Sequence, residues 1–426
     1  MKMRLTLFII LALMLFFSCS KKNSDRVELS FWAMGSEGQV ISEIINKFHE
    51  LHPNIHVKVQ AIPWGAAHEK LLTATAGHST PDVCQLGNTW ISEFNAIDAI
   101  IPLDTLIQHS TIQADRFFPG VWNTNTIGDR VYGIPWYVDT RLLFYRKDIL
   151  SAAGYTQPPG TWEEWRNAAR NIVASSRFRQ KQYGFFFSLI YNDWHVPVIL
   201  VLENNGRLLK ENDCYGAFDD PQTVEALQFY TSLFKEGLAP RSMSEFTNIY
   251  QGFQDGAFAF VVTGPWNIGE IRRRMPEMEN VWATAPMPRK LNGNSVAAGS
   301  SLVIFKSCRH KKEAITFIEF LSSVETQVQF FQMTRDLPAV KQAWDAEEIQ
   351  TDEKIMAFYR QLESVVATPK IPEWERIAVK IQEHLERVVF EETMLEKAIR
   401  DLNNDVDRIL EKRRWLLSKG VMNSGE

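Results

Sequence analysis

The chain has 426 residues, 45% of them hydrophobic and 23% charged, with a formal net charge of −5. That mild acidity argues against a nucleic-acid partner, because phosphate binding needs a basic patch. The length exceeds what one hydrophobic core usually organises, so two domains are expected.

Met1-Lys2-Met3-Arg4 is a short basic head, followed by a mostly apolar run over 5–17 and then Ser18-Cys19. A basic n-region before an apolar core of this size describes a secretory signal, here residues 1–18. A membrane-spanning helix would need about 20 apolar residues, and this run stops short. Phe16-Phe17-Ser18-Cys19 resembles a bacterial lipobox, with Phe16 where Leu is commonest. The resemblance implies that Cys19 becomes a lipidated N terminus on a polar tether, 19–26. Cys84, Cys214 and Cys308 are an odd, widely spaced set. They draw neither a disulfide framework nor a metal pattern and are read as buried thiols.

Val27, Leu29 and Phe31 alternate with polar neighbours, a strand period. Val40, Ile41, Ile44, Ile45, Phe48 and Leu51 fall on one helical face, which Pro53-Asn54 ends. A strand over 55–61, a helix over 69–76, a turn over 77–81 and a short strand over 82–86 follow. Strands alternating with helices imply a parallel sheet with helices packed on it. Further strands are predicted over 131–134, 142–146, 183–187, 257–262 and 301–305, with helices over 222–235 and 311–321. Thr161 and Glu164 form a capping box after Pro158-Pro159-Gly160. From Glu373 to about Lys412 the chain reads mostly helical.

The sequence carries no phosphate loop, no Gly-x-Gly-x-x-Gly and no His-Glu-x-x-His, and its 9 histidines lack metal-ligand spacing. No catalytic residue, metal or cofactor is therefore expected. The 13 tryptophans are more informative. Trp32, Trp64, Trp90, Trp136 and Trp266 stand where strands give way to loops, and open α/β sheets bind ligands there. An indole offers its flat face to the C–H face of a sugar ring while nearby polar groups bond the hydroxyls.

Phe31-Trp32, Tyr132-Gly133-Ile134-Pro135-Trp136 and Leu143-Phe144-Tyr145-Arg146-Lys147-Asp148 come in a recognisable order. Pro158-Pro159-Gly160-Thr161-Trp162-Glu163-Glu164-Trp165, the run from Phe253 to Phe260 before Gly264-Pro265-Trp266, and Leu337-Pro338-Ala339 continue it. Together they resemble the family 1 extracellular solute-binding proteins, across about 27–410. The resemblance implies an α/β fold of the maltose-binding-protein-like, type II periplasmic kind, with two lobes around a ligand cleft and a mostly parallel sheet in each. It implies an N-terminal lobe of 27–137 plus 298–340 and a C-terminal lobe of 138–297 plus 341–420. It further implies ligand contacts at Asn88, Trp90, Asp139, Trp266, Gly299, Ser300, Arg335 and Asp336, with Glu37, Trp64, Trp136 and Trp194 suggested by position.

The function so implied is an extracytoplasmic lipoprotein that passes a sugar or oligosaccharide to the transmembrane permease of an ABC importer. It would act in the cell envelope as a monomer, held to the membrane by its lipid. Closure of two hinged lobes about a ligand is an established repertoire for periplasmic binding proteins. The alternative is a secreted carbohydrate-active enzyme of glycosidase type, which needs two carboxylates flanking the scissile bond.

Overall fold

The computed structural model describes residues 26–175, 182–187, 194–242, 246 and 248–420. Cys19, the leader 1–18 and nearly all of the tether 19–26 lie outside the described residues. In chain order the main strands are β1 (Val27–Met34), β2 (Ile55–Ile62), β3 (Val83–Gly87), β4 (Ile134–Asp139) and β5 (Leu142–Arg146). They continue with β6 (Tyr183–Phe186), β7 (Phe258–Thr263), β8 (Trp282–Ala285), β9 (Ala298–Ile304) and β10 (Leu337–Pro338). The helices that bear on the site are α1 (Gly35–Val40), α2 (Trp64–Ala76), α3 (Trp266–Arg274), α4 (Val324–Thr334) and α5 (Trp374–Val389).

Two sheets result. The first has the order β10-β4-β9-β3-β1-β2, with β1 to β4 running one way and β9 and β10 against them. The second has the order β8-β5-β7-β6, with only β5 opposed. Strand direction is thus mostly shared within each sheet. The exceptions arise where the chain changes sheets. β4 ends in the first sheet at Asp139, and β5 starts in the second at Leu142. The chain returns through Ser295–Val296 into β9. Hydrogen bonds lock the two passages side by side. Thr140 Oγ1 donates to the Val296 carbonyl at 2.8 Å, and Ser295 Oγ donates to that of Arg141 at 2.8 Å.

Local chemistry explains the elements. Leu29, Phe31 and Ala33 on one face of β1 are fully buried. Trp374, Ile377, Ala378, Ile381, Leu385 and Val388 recur at helical spacing on α5 and bury against the second sheet's core. The expected capping box is formed, with Thr161 accepting from the Glu164 amide. Several boundaries differ from expectation, α2 beginning at Trp64 rather than Glu69 and β9 at Ala298 rather than Ser301. A helical turn starts straight off β1 at Gly35 rather than near Val40. The strand expected over 131–134 is split, with a short strand ending at Val131 and β4 starting at Ile134 and running through Pro135 to Asp139. Proline usually marks a strand's limit because it cannot donate to the ladder. Here the β4–β9 register shifts between Ser300 and Ser301, a bulge that places Pro135 opposite Ser301.

That longer strand moves Trp136 to mid-strand, fully buried and stacked on Phe330 at 4.6 Å. Gln327 on α4 secures the same strand. Its Nε2 donates to the carbonyls of Trp136 (2.8 Å) and Leu321 (3.0 Å), and its Oε1 accepts from the Ala339 amide (2.7 Å). Gln327→Leu would leave these backbone groups buried without partners, each costing roughly 1–3 kcal/mol. We expect a loss of ~3 kcal/mol or more in urea denaturation. Parent-like stability would show that the amide is dispensable.

Candidate functional site

A cavity of about 470 Å³ opens between the two sheets. On the first-sheet side it is lined by Ser36 and Glu37 of α1, Trp64 at the start of α2, and Asn88, Thr89 and Trp90 just after β3. Tyr137 to Asp139, Arg141, Ala297 to Gly299, and Asp336 form its floor. On the second-sheet side stand Trp194, His195, Pro265, Trp266 and Glu375.

The first wall is built on Gln85, fully buried on β3. Its Oε1 accepts from the Met34 amide at 2.7 Å, and its Nε2 reaches Ser300 Oγ at 3.0 Å and Tyr137 Oη at 3.2 Å. Tyr137 donates at 2.8 Å to Glu37 Oε1, which also takes the Trp64 indole N–H at 3.4 Å. Trp64 meets Trp90 edge-on at 5.8 Å, and His68 lies 5.0 Å from Trp90. On the floor, Asp139 is ion-paired to Arg141, whose guanidinium lies 4.5 Å over the Trp266 ring and 3.2 Å from His195 Nε2. Trp194 stacks on His195 at 4.0 Å.

Two glycines permit these approaches. A Cβ at Gly264 would meet the Trp266 ring at 2.0 Å. One at Gly299, whose φ is +125°, would meet the Tyr137 carbonyl oxygen at 2.4 Å.

Of the residues expected here, Glu37, Trp64, Asn88, Trp90, Asp139, Trp194, Trp266, Gly299 and Asp336 come together around the cavity. Three do not. Trp136 belongs to the core, because strand alternation sends its neighbour Tyr137 to the cavity instead. Ser300 is buried behind the wall, bonded to Gln85. Arg335 ends α4 in the left-handed region at φ 66°, and its exposed side chain lines a neighbouring cavity 3.8 Å from Glu348. Sequence reasoning missed Tyr137, Thr89, His195 and Glu375. Tyr137 was findable, as the residue beside a motif tryptophan on the other face. Glu375 follows Trp374 in the C-terminal helical run and carried no comparable signal.

Among the residues lining the cavity, four carboxylates face one guanidinium. Burial raises the Asp139 carboxyl despite Arg141 and His195, and raises Glu375 despite its bond from Thr89. Asp336 is the extreme case. Its Oδ2 is buried with no hydrogen-bond partner. Burial and the nearby Glu37 carboxylate push it up to about 8, against the hydrogen bond from Thr334. Among the described residues, no group of three His, Cys, Asp or Glu side chains could hold a metal ion. The arrangement suits a neutral ligand rich in hydrogen-bond donors.

An unfolded aspartate titrates near 3.9. The folded chain therefore holds an extra proton on Asp336 from about pH 4 to about 8. The stability this contributes is complete below pH 4 and is lost as pH rises through about 8, at roughly 1.4 kcal/mol per pH unit in that window. Asp336→Asn removes the titration. Its melting temperature is expected to fall several degrees less than the parent's between pH 5 and pH 9. Parallel curves would contradict the assignment.

The profile of the family described as bacterial extracellular solute-binding protein matches residues 33–328. Among solved structures, the chain is similar to the sugar-binding protein MalE from Xanthomonas citri. The two are 42% identical with a TM-score of 0.87, covering 92% of this chain and 99% of that one. It is also similar to an ABC transporter solute-binding protein from Thermotoga lettingae, at 26% identity and a TM-score of 0.77, covering 90% and 100%. The arabinooligosaccharide-binding protein of Bacillus subtilis is 22% identical over 360 residues, 80% of each chain. These are substrate-binding proteins, and the glycosidase alternative gains nothing from them. With a profile match over more than half its length and the two-lobe α/β architecture of these relatives, the chain belongs to the bacterial extracellular solute-binding protein family.

Proposed function

We propose that this protein captures a neutral sugar or short oligosaccharide between its two lobes and delivers it to the permease of an ABC importer. The observation that carries the reading is a pair of exposed indoles on opposite sides of an acid-rich cavity. Trp64 is 37% exposed on the first-sheet side and Trp266 is 44% exposed on the second. Large aromatic side chains left open to a cavity lined with hydrogen-bonding groups suit a ring with one apolar face and many hydroxyls. The excess of carboxylates over cations disfavours a phosphorylated ligand such as a glycerol phosphodiester. The names of the relatives, a sugar-binding protein and an arabinooligosaccharide-binding protein, support the same class.

The lobes in this reading are 27–137 plus 298–340 and 138–297 plus 341–420. Cys19 would carry the lipid that holds a monomer on the outer side of the membrane. A relative from Streptomyces antibioticus, 27% identical over 342 residues, is named a lipoprotein, which supports the anchor.

A thermal-shift screen against neutral sugars tests the class, since a ligand that binds only the folded state must raise the melting temperature. With the best sugar, Trp266→Ala is expected to weaken binding by ~30- to 1,000-fold, the cost of losing an aromatic anchor of roughly 2–4 kcal/mol. Its folding stability should change little, because the ring is half-exposed already. Normal affinity in calorimetry would remove Trp266 from the site.

A further inference from the structure

Most bonds between the two sides of the cavity run along the crossing segments. Thr140 to Val296, Ser295 to Arg141 and Asn88 to the Ala297 carbonyl are of this kind. Lys370 Nζ also reaches Asn123 Oδ1 and the Thr126 carbonyl from the other lobe. A further bond joins two side chains of the cavity itself: Thr89 Oγ1 donates to Glu375 Oε1 at 2.5 Å. Thr89 lies in the short helical turn after β3, within the first sheet's framework. Glu375 lies in the first turn of α5, whose apolar face is part of the second sheet's core. Each residue is thus fixed to a different sheet, yet both line the ligand cavity and meet there side chain to side chain.

We propose that Thr89 and Glu375 form an interlobe latch, a positioning pair that holds the two lobes together over the bound ligand and sets how fast it leaves. The inference rests on the sugar-binding reading above, and it explains why a carboxylate stands at this edge. Trp90, next to Thr89, lines the cavity, and Trp374, next to Glu375, anchors the other partner in the second sheet's core. A hydrogen bond to a carboxyl oxygen in a partly dry site adds a directional contact between the lobes. The bond forms only when both lobes are in place, so its contribution belongs to the closed state alone. It favours the closed setting with or without ligand, and ligand exit must break it.

Spin labels at Glu50→Cys and Lys235→Cys report the distance between the two sides in the full chain without ligand. Both positions are exposed, whereas the native Cys84, Cys214 and Cys308 are buried. Thr89→Ala and Glu375→Ala should each shift the distances toward longer values, and the double variant no further than either single one. Thr89→Ser and Glu375→Gln, which keep a donor and an acceptor, should restore the parent distribution. With maltose and trehalose as probes, each alanine variant should raise the dissociation rate about tenfold with little change in association rate. The two effects should not add. Unchanged distances, or additive losses confined to the association rate, would overturn the latch and make Glu375 an ordinary ligand contact. Failure of every sugar to bind the parent would sink the sugar reading, while the label distances would still decide the latch.

Discussion

A buried amide with no access to water must find its partners inside the protein, and Gln85 finds them on four different elements. Its oxygen takes the amide of Met34 at the end of β1. Its nitrogen reaches Tyr137 on β4, Ser300 on β9 and, at 3.5 Å, Glu37 on α1. Leaving such a group unpaired costs more than its bonds return when made, so the arrangement is fixed by necessity as much as by attraction. The consequence lies one layer out. Tyr137 and Glu37 are held at the cavity surface in a set orientation, and Glu37 in turn steadies the Trp64 indole. The first wall is rigid because a core strand carries a polar side chain where an apolar one would ordinarily pack.

The floor of the cavity is organised by charge. Arg141 answers Asp139 and lays its guanidinium across Trp266, which covers one indole face and leaves the other for a ligand. No such partner serves Asp336, so burial and the neighbouring carboxylate keep its proton in place. A site with surplus carboxylates is poor at holding phosphates or uronates. It is well supplied with acceptors for hydroxyl groups, and a protonated Asp336 adds one donor. Selectivity between ligand classes then follows from what the site would leave unpaired as much as from what it bonds.

The amphipathic elements were legible because burial and periodicity coincide in them. The alternation of Leu29 and Phe31, the helical run that contains α5 and the Thr161–Glu164 capping box all appear where the residues place them. Trp136 was misplaced for a specific reason. Pro135 reads as a strand terminus, so the next residue seemed to stand at a strand's end over the cleft. The bulge opposite Ser301 lets the strand continue and turns the tryptophan inward. Arg335 could not be placed because the left-handed turn that swings it outward is a choice the chain makes at the end of α4. Glu375 was out of reach because it joins the cavity across 286 positions of sequence, through packing that no local pattern reveals.

The crossing segments tie these walls to one another. Asn88, at the cavity, donates at 2.8 Å to the carbonyl of Ala297, which joins Ser295–Val296 to β9 on the passage returning from the second sheet. Asp139 and Gly299 belong to the paired passages themselves, Asp139 opposite Ala298 and Gly299 opposite Val138. A ligand that touches Asp139 or Gly299 would therefore touch the passages that join the two sheets. Any group that bonds both walls at once gains that bonding only at one relative setting of the sheets, so it selects that setting by the difference. The crossing strands supply the site with side chains and determine its geometry together. A substitution at Thr140 or Ser295, neither of which lines the cavity, would reach the ligand through the passages they join.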